Sequence, residues 1–264
     1  MKSLIYYLPQ SSQGNEIHAP NVYRYTKMKY IDDFFSSGKL RLNSFKTYET
    51  SSKEPENINQ EVDDNGEGKN IYAGRDYEKE ETLFLIIGFG GVLNLSTSTV
   101  LSKEMLTKFN LAAGKQEDYG VFQIFDPIGF ACEIGNLIIE LNCDLQGVTI
   151  GECEYFDDAR QSIHPMDELL NKFNISRDAY ESMPSSNIEE DFNQARTYDA
   201  SPFLSKPPNI LEILPIFFQK SKKHKHQSEF RFLWHLANLK IDSLDIKISN
   251  PAKFCRRIDS NHLS

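Results

Sequence analysis

Gln227-Ser-Glu-Phe-Arg-Phe-Leu-Trp234 is the stretch on which the fold turns. Read as a β-strand, its side chains alternate between two faces. Phe230, Phe232 and Trp234 then share one face, and Gln227, Glu229, Arg231 and Leu233 the other. Three large aromatics anchor the first face in a core, so the opposite face is held rigidly. That face carries an amide, a carboxylate and a guanidinium in a row, directly after the basic run Lys220–His226. A rigid strand presenting a few polar groups is where binding or catalytic chemistry is positioned accurately. The plainer reading of the same residues is a solvated strand face on which Glu229 and Arg231 pair with neighbours.

The bulk properties bound what the rest can be. A chain of 264 residues is long enough to bury a sizeable core, as one large domain or two small ones. Apolar and charged fractions of 39% and 25% are those of an ordinary globular protein. The net charge of −9 is uneven: residues 49–81 hold 11 Asp/Glu against 4 Lys/Arg, so the remainder is close to neutral. Such a chain is not built for non-specific nucleic-acid binding. Cys132, Cys143, Cys153 and Cys255 show no Cys-x-x-Cys spacing, which argues against zinc and fits a reducing cytosol. The N-terminal apolar run is too short for a signal peptide, and no stretch approaches membrane-spanning length. The expectation is a cytoplasmic protein with no membrane partner.

Along the chain, residues 21–25 read as a first strand, with Val22 and Arg24 on one face and Tyr23 and Tyr25 on the other. Residues 29–37 make a short helix with Tyr30, Ile31, Phe34 and Phe35 on one face, stopped by Gly38. Residues 39–45 alternate as a second strand that groups Leu40, Leu42 and Ser44. Residues 49–81 have no apolar period and read as an acidic, mobile excursion. Thr82–Phe89 is a continuous apolar run, expected as a buried strand. Lys103–Ala113 looks helical, and residues 120–156 are expected to form a meander of short strands, including 129–134 and 137–142. Residues 157–220 are expected to be a mainly helical insertion, with helices from His164-Pro165 to about Phe173, over 186–195 and over 209–220. Residues 239–248 alternate as a last strand. The fold class expected is a single α+β domain over 1–264, with a mixed or antiparallel β core.

Several familiar sites are excluded. There is no phosphate loop, no nucleophile elbow and no His-Glu-x-x-His. Gly88-Phe-Gly-Gly91 lacks the third glycine of a dinucleotide fingerprint and reads as a tight turn. Asp63–Gly68 has the sixth-position glycine of a calcium loop, but Gly74 stands where the bidentate Glu belongs. His224 and His226 have no third ligand indicated and sit among lysines, so no metal is expected there. The basic run suits contact with nucleotide phosphates or an anionic acceptor, or is simply a solvated loop.

Val22-Tyr-Arg-Tyr25, the short helix and Leu40-Arg-Leu-Asn-Ser-Phe45 resemble the opening of a bacterial family of uncharacterised proteins. Gln227-Ser-Glu-Phe-Arg231 resembles that family's closing strand, with Gln in place of the first Glu, and Glu154-Tyr-Phe-Asp-Asp158 its mid-chain turn. The chain departs from the family at Lys46-Thr-Tyr-Glu49, where an Asn-Asp-Pro-Phe is usual. The same layout is similar to the ADP-ribosyltransferase fold. One class of those enzymes has an Arg on the first strand, a Ser-Thr-Ser after a later strand, and Gln/Glu-x-Glu opening the catalytic strand. Arg24, Ser96-Thr-Ser98 and Gln227-Ser-Glu229 stand in that order, with a longer gap from Ser98 to Glu229 than is usual.

That resemblance implies NAD as substrate, an unknown macromolecular acceptor (protein or nucleic acid), no metal, and a toxin or phage-defence setting. Departure of nicotinamide leaves an oxocarbenium-like ribose that a fixed carboxylate stabilises. Glu229 takes that role, and Gln227 would orient the acceptor nucleophile. Arg24 would hold a pyrophosphate or ribose oxygen through its planar fork, with Tyr25 and Tyr48 walling the nicotinamide. Ser44 and Ser96 complete the implied nucleotide-binding set. The rival expectations are a non-catalytic nucleotide-binding or interaction domain on the same fold, and an enzyme that hydrolyses NAD without a macromolecular acceptor.

Overall fold

The aromatic alternation of Phe230, Phe232 and Trp234 places all three in one buried cluster, on a strand with neighbours along both edges. The computed structural model describes residues 5–8, 19–45, 69–78, 81–88, 91–112, 118–156, 163–172, 175–183, 185–186, 197–199, 217–238 and 240–259. In chain order the strands and helices begin with β1 (Ile5–Leu8), β2 (Val22–Lys27), α1 (Met28–Ser37) and β3 (Lys39–Ser44). There follow β4 (Lys69–Asp76), β5 (Glu81–Gly88), β6 (Val92–Ser98), α2 (Lys103–Ala112), β7 (Tyr119–Ile124) and α3 (Pro127–Glu140). Next come β8 (Leu145–Glu152), β9 (Glu154–Phe156), β10 (Ile163–Pro165), α4 (Met166–Lys172), α5 (Arg177–Glu181), β11 (Ser185–Ser186) and β12 (Thr197–Asp199). The chain closes with β13 (Gln219–Ser221), a 3-10 turn over Lys222–Gln227, β14 (Glu229–Leu236), β15 (Ser243–Lys247) and β16 (Cys255–Ile258).

These elements form two compact units. The first takes residues 1–65, 90–155 and 218–264, the second 66–89 and 156–217. In the first, nine strands make one antiparallel sheet in the order β1-β8-β14-β6-β2-β7-β16, with β3 on β6 and β15 on β3. One face is apolar: Leu93, Leu95, Phe230, Phe232 and Trp234 meet Ile31 and Phe34 of α1 and Phe130, Ile134 and Ile138 of α3. On the other face α2 contributes Met105 and Leu106 to a smaller cluster around Tyr25 and Val121. The second unit holds a mixed sheet in the order β10-β4-β5-β12-β11, with β10 parallel to β4 and β12 parallel to β5. Arg177 at the start of α5 binds it together locally, pairing with Asp76, Glu78 and Asp167. No helix among the described residues is long and apolar enough to cross a membrane.

Several sequence expectations are corrected by these elements. Residues 127–140 are a helix, where a meander of strands was expected. Asp126 caps it by accepting from the Gly129 N–H at 2.9 Å, Pro127 opens it, and Phe130, Ile134 and Ile138 recur at helical spacing. Part of the acidic excursion, Lys69–Asp76, is a strand, because the apolar strand Glu81–Gly88 pairs with it along its length. Residues 49–68 and 79–80 of that excursion lie outside the described residues. Residues 157–220 are not mainly helical where described: they hold α4 and α5 but also four short strands, with His164-Pro165 in β10 and Lys220 in β13. The expected helices over 186–195 and 209–220 fall almost wholly outside the described residues. Tyr30 is 52% exposed instead of joining Ile31 and Phe34 in the core.

Gly38 ends α1 as expected, with φ at 76° and its N–H donating to the Phe34 carbonyl. A Cβ there would lie 1.9 Å from the Ile248 carbonyl oxygen. Gly38→Ala therefore meets both left-handed strain and a backbone clash, and is expected to cost more than about 2 kcal/mol in a urea titration.

Candidate functional site

The second face of the central sheet is buried without being apolar. Direct cross-strand pairing puts Glu229 opposite Ser98, Arg231 opposite Ser96 and Leu233 opposite Asn94, all on that face. Asn94, Ser98, Glu229 and Arg231 are each under 5% exposed. The sequence expectation that Arg231 faces a cleft or water is thus corrected: its side chain is fully buried, with the guanidinium 5.4 Å above the Phe45 ring. A charge in that position needs a partner, and Glu229 supplies it.

The Glu229 carboxylate is held from two sides. Arg231 Nε donates to Oε1 at 2.6 Å, and Lys220 Nζ donates to Oε2. Lys220 also donates to the Gln227 Oε1 at 3.0 Å. Tyr155 Oη accepts from the Glu229 backbone N–H at 2.7 Å. Burial by itself would raise the Glu229 carboxyl, but the Arg231 guanidinium and the Lys220 ammonium outweigh it and hold the group well below the usual carboxylate range. Glu229 is an anion across the neutral range and not a proton donor. Burial pushes the Tyr155 phenol up to about 12, so it stays a neutral hydroxyl.

Gln227 is not on the strand. It ends the 3-10 turn, and Ser228 reverses the chain with φ at 43° before β14 begins at Glu229. The basic residues wind into a short turn that returns Gln227 and Lys220 to the strand's first carboxylate. Gln227 reaches the site through Lys220, with its Nε2 3.4 Å from His224 Nδ1.

The remaining expected residues are distributed by the sheet. β2 and β3 pair with the same edge of β6 at its two ends, Tyr23 opposite Ser98 and Asn43 opposite Asn94. Between them the strands diverge, and Arg24 Nη1 donates to the Ser96 carbonyl in that fork. Alternation places the Arg24 Cβ with Val22 on the apolar side, while Tyr23 shares the face of Ser98 and Glu229. Tyr25 is a buried ring stacked on Phe109 at 5.6 Å; its hydroxyl accepts from the Ser102 N–H and donates to the Val100 carbonyl. Ser44 lies opposite Leu93, which puts it on the apolar face, fully buried and with no partner for its hydroxyl among the described residues. Tyr48 lies outside the described residues. The structure therefore brings Ser96, Ser98 and Glu229 onto one face of β6 and β14, with Gln227 beside them. Tyr25 is on that face too, its hydroxyl sharing the Val100 carbonyl with Ser98. Arg24 instead reaches the Ser96 backbone carbonyl from the opposite, apolar side, where Ser44 also lies.

Lys220 and Tyr155 complete this site without having been assigned to it. Tyr155 stands in the Glu154–Asp158 landmark, and Lys220 in the basic run, so both were visible as motifs but not as neighbours of Glu229. Asn94 carries the clearest missed signal: Asn94, Ser96 and Ser98 alternate with Leu93, Leu95 and Thr97.

Further along the same face, His235 Nε2 lies 2.9 Å from Thr149 Oγ1, and burial lowers the imidazole to about 4. The ring is neutral in the folded chain, while the unfolded ring binds a proton below its ordinary 6.5. Stability is fully present above that value and falls as pH drops from 6.5 towards 4. The loss is expected to reach about 2 kcal/mol by pH 5. Urea midpoints at pH 7 and pH 5 check it, and His235→Gln should flatten the difference.

No protein-family model, curated protein or solved structure matches this chain.

Proposed function

We propose that this chain is an NAD-dependent, mono-ADP-ribosyltransferase-like protein whose reacting site lies where β2, β6 and β14 meet. The observation that carries the reading is that Ser96 and Ser98 of β6 and Glu229 of β14, distant in sequence, share one face of the sheet, while Arg24 of the neighbouring β2 reaches the Ser96 carbonyl from the other side. Transfer breaks the bond between ribose C1′ and the nicotinamide nitrogen, and the electron pair leaves with nicotinamide. The acceptor nucleophile bonds to C1′ and gives up a proton. Glu229, permanently ionised, accepts from a ribose hydroxyl and faces the positive charge that develops on the ring. A carboxylate offers about four lone-pair sites. Arg231 and Lys220 take one each, so acceptor capacity remains. Gln227 steers Lys220, which sets how much of the Glu229 charge is open to the ribose.

One observation favours a second reading, a nucleotide-binding domain without turnover. Glu229 is 4% exposed and both its oxygens already meet a cation, which damps the field it exerts on a reacting sugar. Nicotinamide release from NAD, followed with an intact-mass scan of candidate protein and nucleic-acid acceptors, separates the readings. Release with an ADP-ribose mass increment on an acceptor supports transfer, and release without an increment supports hydrolysis. Binding without release leaves the binding domain, and neither binding nor release removes the nucleotide reading.

A further inference from the structure

Asn43 and Asn94 lie directly opposite each other on β3 and β6, and each carries a buried carbonyl oxygen with no hydrogen-bond partner among the described residues. Asn94 is 2% exposed, and its Nδ2 is committed to Ser96 Oγ at 3.1 Å, which aims its Oδ1 away from Ser96. A buried acceptor without a donor is costly, and two of them side by side form a place that lacks a donor group. Asn43 is only half-buried as a residue, at the fork where β2 and β3 part, although its Oδ1 is itself covered. The row on either side is Leu233 and Thr149 towards β8 and Ser243 towards β15, so no charged residue of that row competes for the pair.

Resting on the nucleotide reading of Glu229, we propose that Asn43 and Asn94 form its base-recognition subsite, their two carbonyl oxygens taking the two N–H groups of an exocyclic ring amine, the 6-amino group of adenine. Spacing selects the adenine end. Asn94 and the Ser98 that faces Glu229 are four residues apart on β6, about 13 Å along a strand. That is too far for the carboxamide of a nicotinamide whose own ribose sits on Glu229, and it suits the adenosine half of the same dinucleotide. A 6-oxo base would set a third acceptor against the two amide oxygens and is rejected.

Calorimetric titration of the full chain with three dinucleotides tests this: NAD, its hypoxanthine analogue, and its nicotinic acid analogue. The expected result is that the nicotinic acid analogue binds about as well as NAD, and the hypoxanthine analogue at least about tenfold more weakly. Asn94→Leu deletes a buried orphan acceptor at similar volume; it should keep or raise the melting temperature and level the two bases. Asn43→Ala, at a half-buried position, should level them as well and guards against a misfolded Asn94 variant. Equal binding of NAD and the hypoxanthine analogue overturns the subsite while leaving the nucleotide reading in place. So does a tenfold loss confined to the nicotinic acid analogue, which would put the carboxamide there. Base preference that survives both substitutions overturns it too. Failure of the wild-type chain to bind any of the three overturns the nucleotide reading and the subsite together.

Discussion

Glu229→Gln is expected to lower the melting temperature by roughly 10 °C and, where the chain is active, to reduce NAD turnover by about 10²–10³ at temperatures at which it remains folded. The stability loss follows from what surrounds the carboxylate. Removing its charge leaves Arg231, fully buried, and Lys220, 8% exposed, facing a neutral amide. Breaking a buried ion pair by deleting one partner costs about 3–5 kcal/mol, because the other charge is left uncompensated. From the sequence alone the same variant is expected to melt like the parent, since Glu229 then lies on a solvated face; its burial between two cations reverses that expectation. Adding Lys220→Met to Glu229→Gln removes one of the two buried cations that have lost the carboxylate and should recover part of the lost stability. The two readings of the site separate on turnover. A Glu229→Gln protein that is shown folded by circular dichroism and still releases nicotinamide at the wild-type rate would place Glu229 among purely structural ion pairs.

Trp234→Ala is expected to destabilise the sheet-bearing unit by about 3–5 kcal/mol. The indole is fully buried, lies parallel to Phe232 with ring centroids 6.1 Å apart, and donates from Nε1 to the Ala131 carbonyl at 3.1 Å. Truncation opens a cavity between β14 and α3 and removes that hydrogen bond. Trp234→Phe retains most of the volume and should cost less. Far-ultraviolet circular dichroism against urea gives the midpoints, since Trp234 is the only tryptophan and its removal silences indole fluorescence. An unchanged midpoint for the Ala variant would show that the aromatic face of β14 does not anchor the strand.

The aromatic face was legible in the sequence because strand alternation is a local property. Phe230, Phe232 and Trp234 announce a buried side wherever the strand is placed. The same holds for α1, where Ile31 and Phe34 recur at helical spacing and Gly38 has the one side chain compatible with its backbone. Residues 127–140 were harder. Their isoleucines and two glycines favour a strand reading, and the helix depends on the Asp126 cap and on Gly135, whose missing side chain lets α3 approach Leu145 and Val148 of β8. The residues of the second unit come from two stretches, 66–89 and 156–217, and neither pattern shows that they belong together.

What the sequence by itself determined is the set of polar residues on offer: Arg24, Ser96, Ser98, Gln227, Glu229 and Arg231, each on or beside a strand. Tertiary structure decided which of them meet and in what state. Alternation says that Glu229 points away from Phe230, but not whether water or a second layer of polar groups lies there. Pairing of β6 with β14 brings Ser98 to Glu229 across 131 positions of sequence, and the left-handed Ser228 folds Lys220 back onto the carboxylate it precedes. Register along β3 and β6 alone sets Asn43 and Asn94 side by side, each with a carbonyl oxygen that finds no donor among the described residues. Periodicity is a property of neighbours in the chain, whereas charge pairing and unmet hydrogen bonds are properties of neighbours in space.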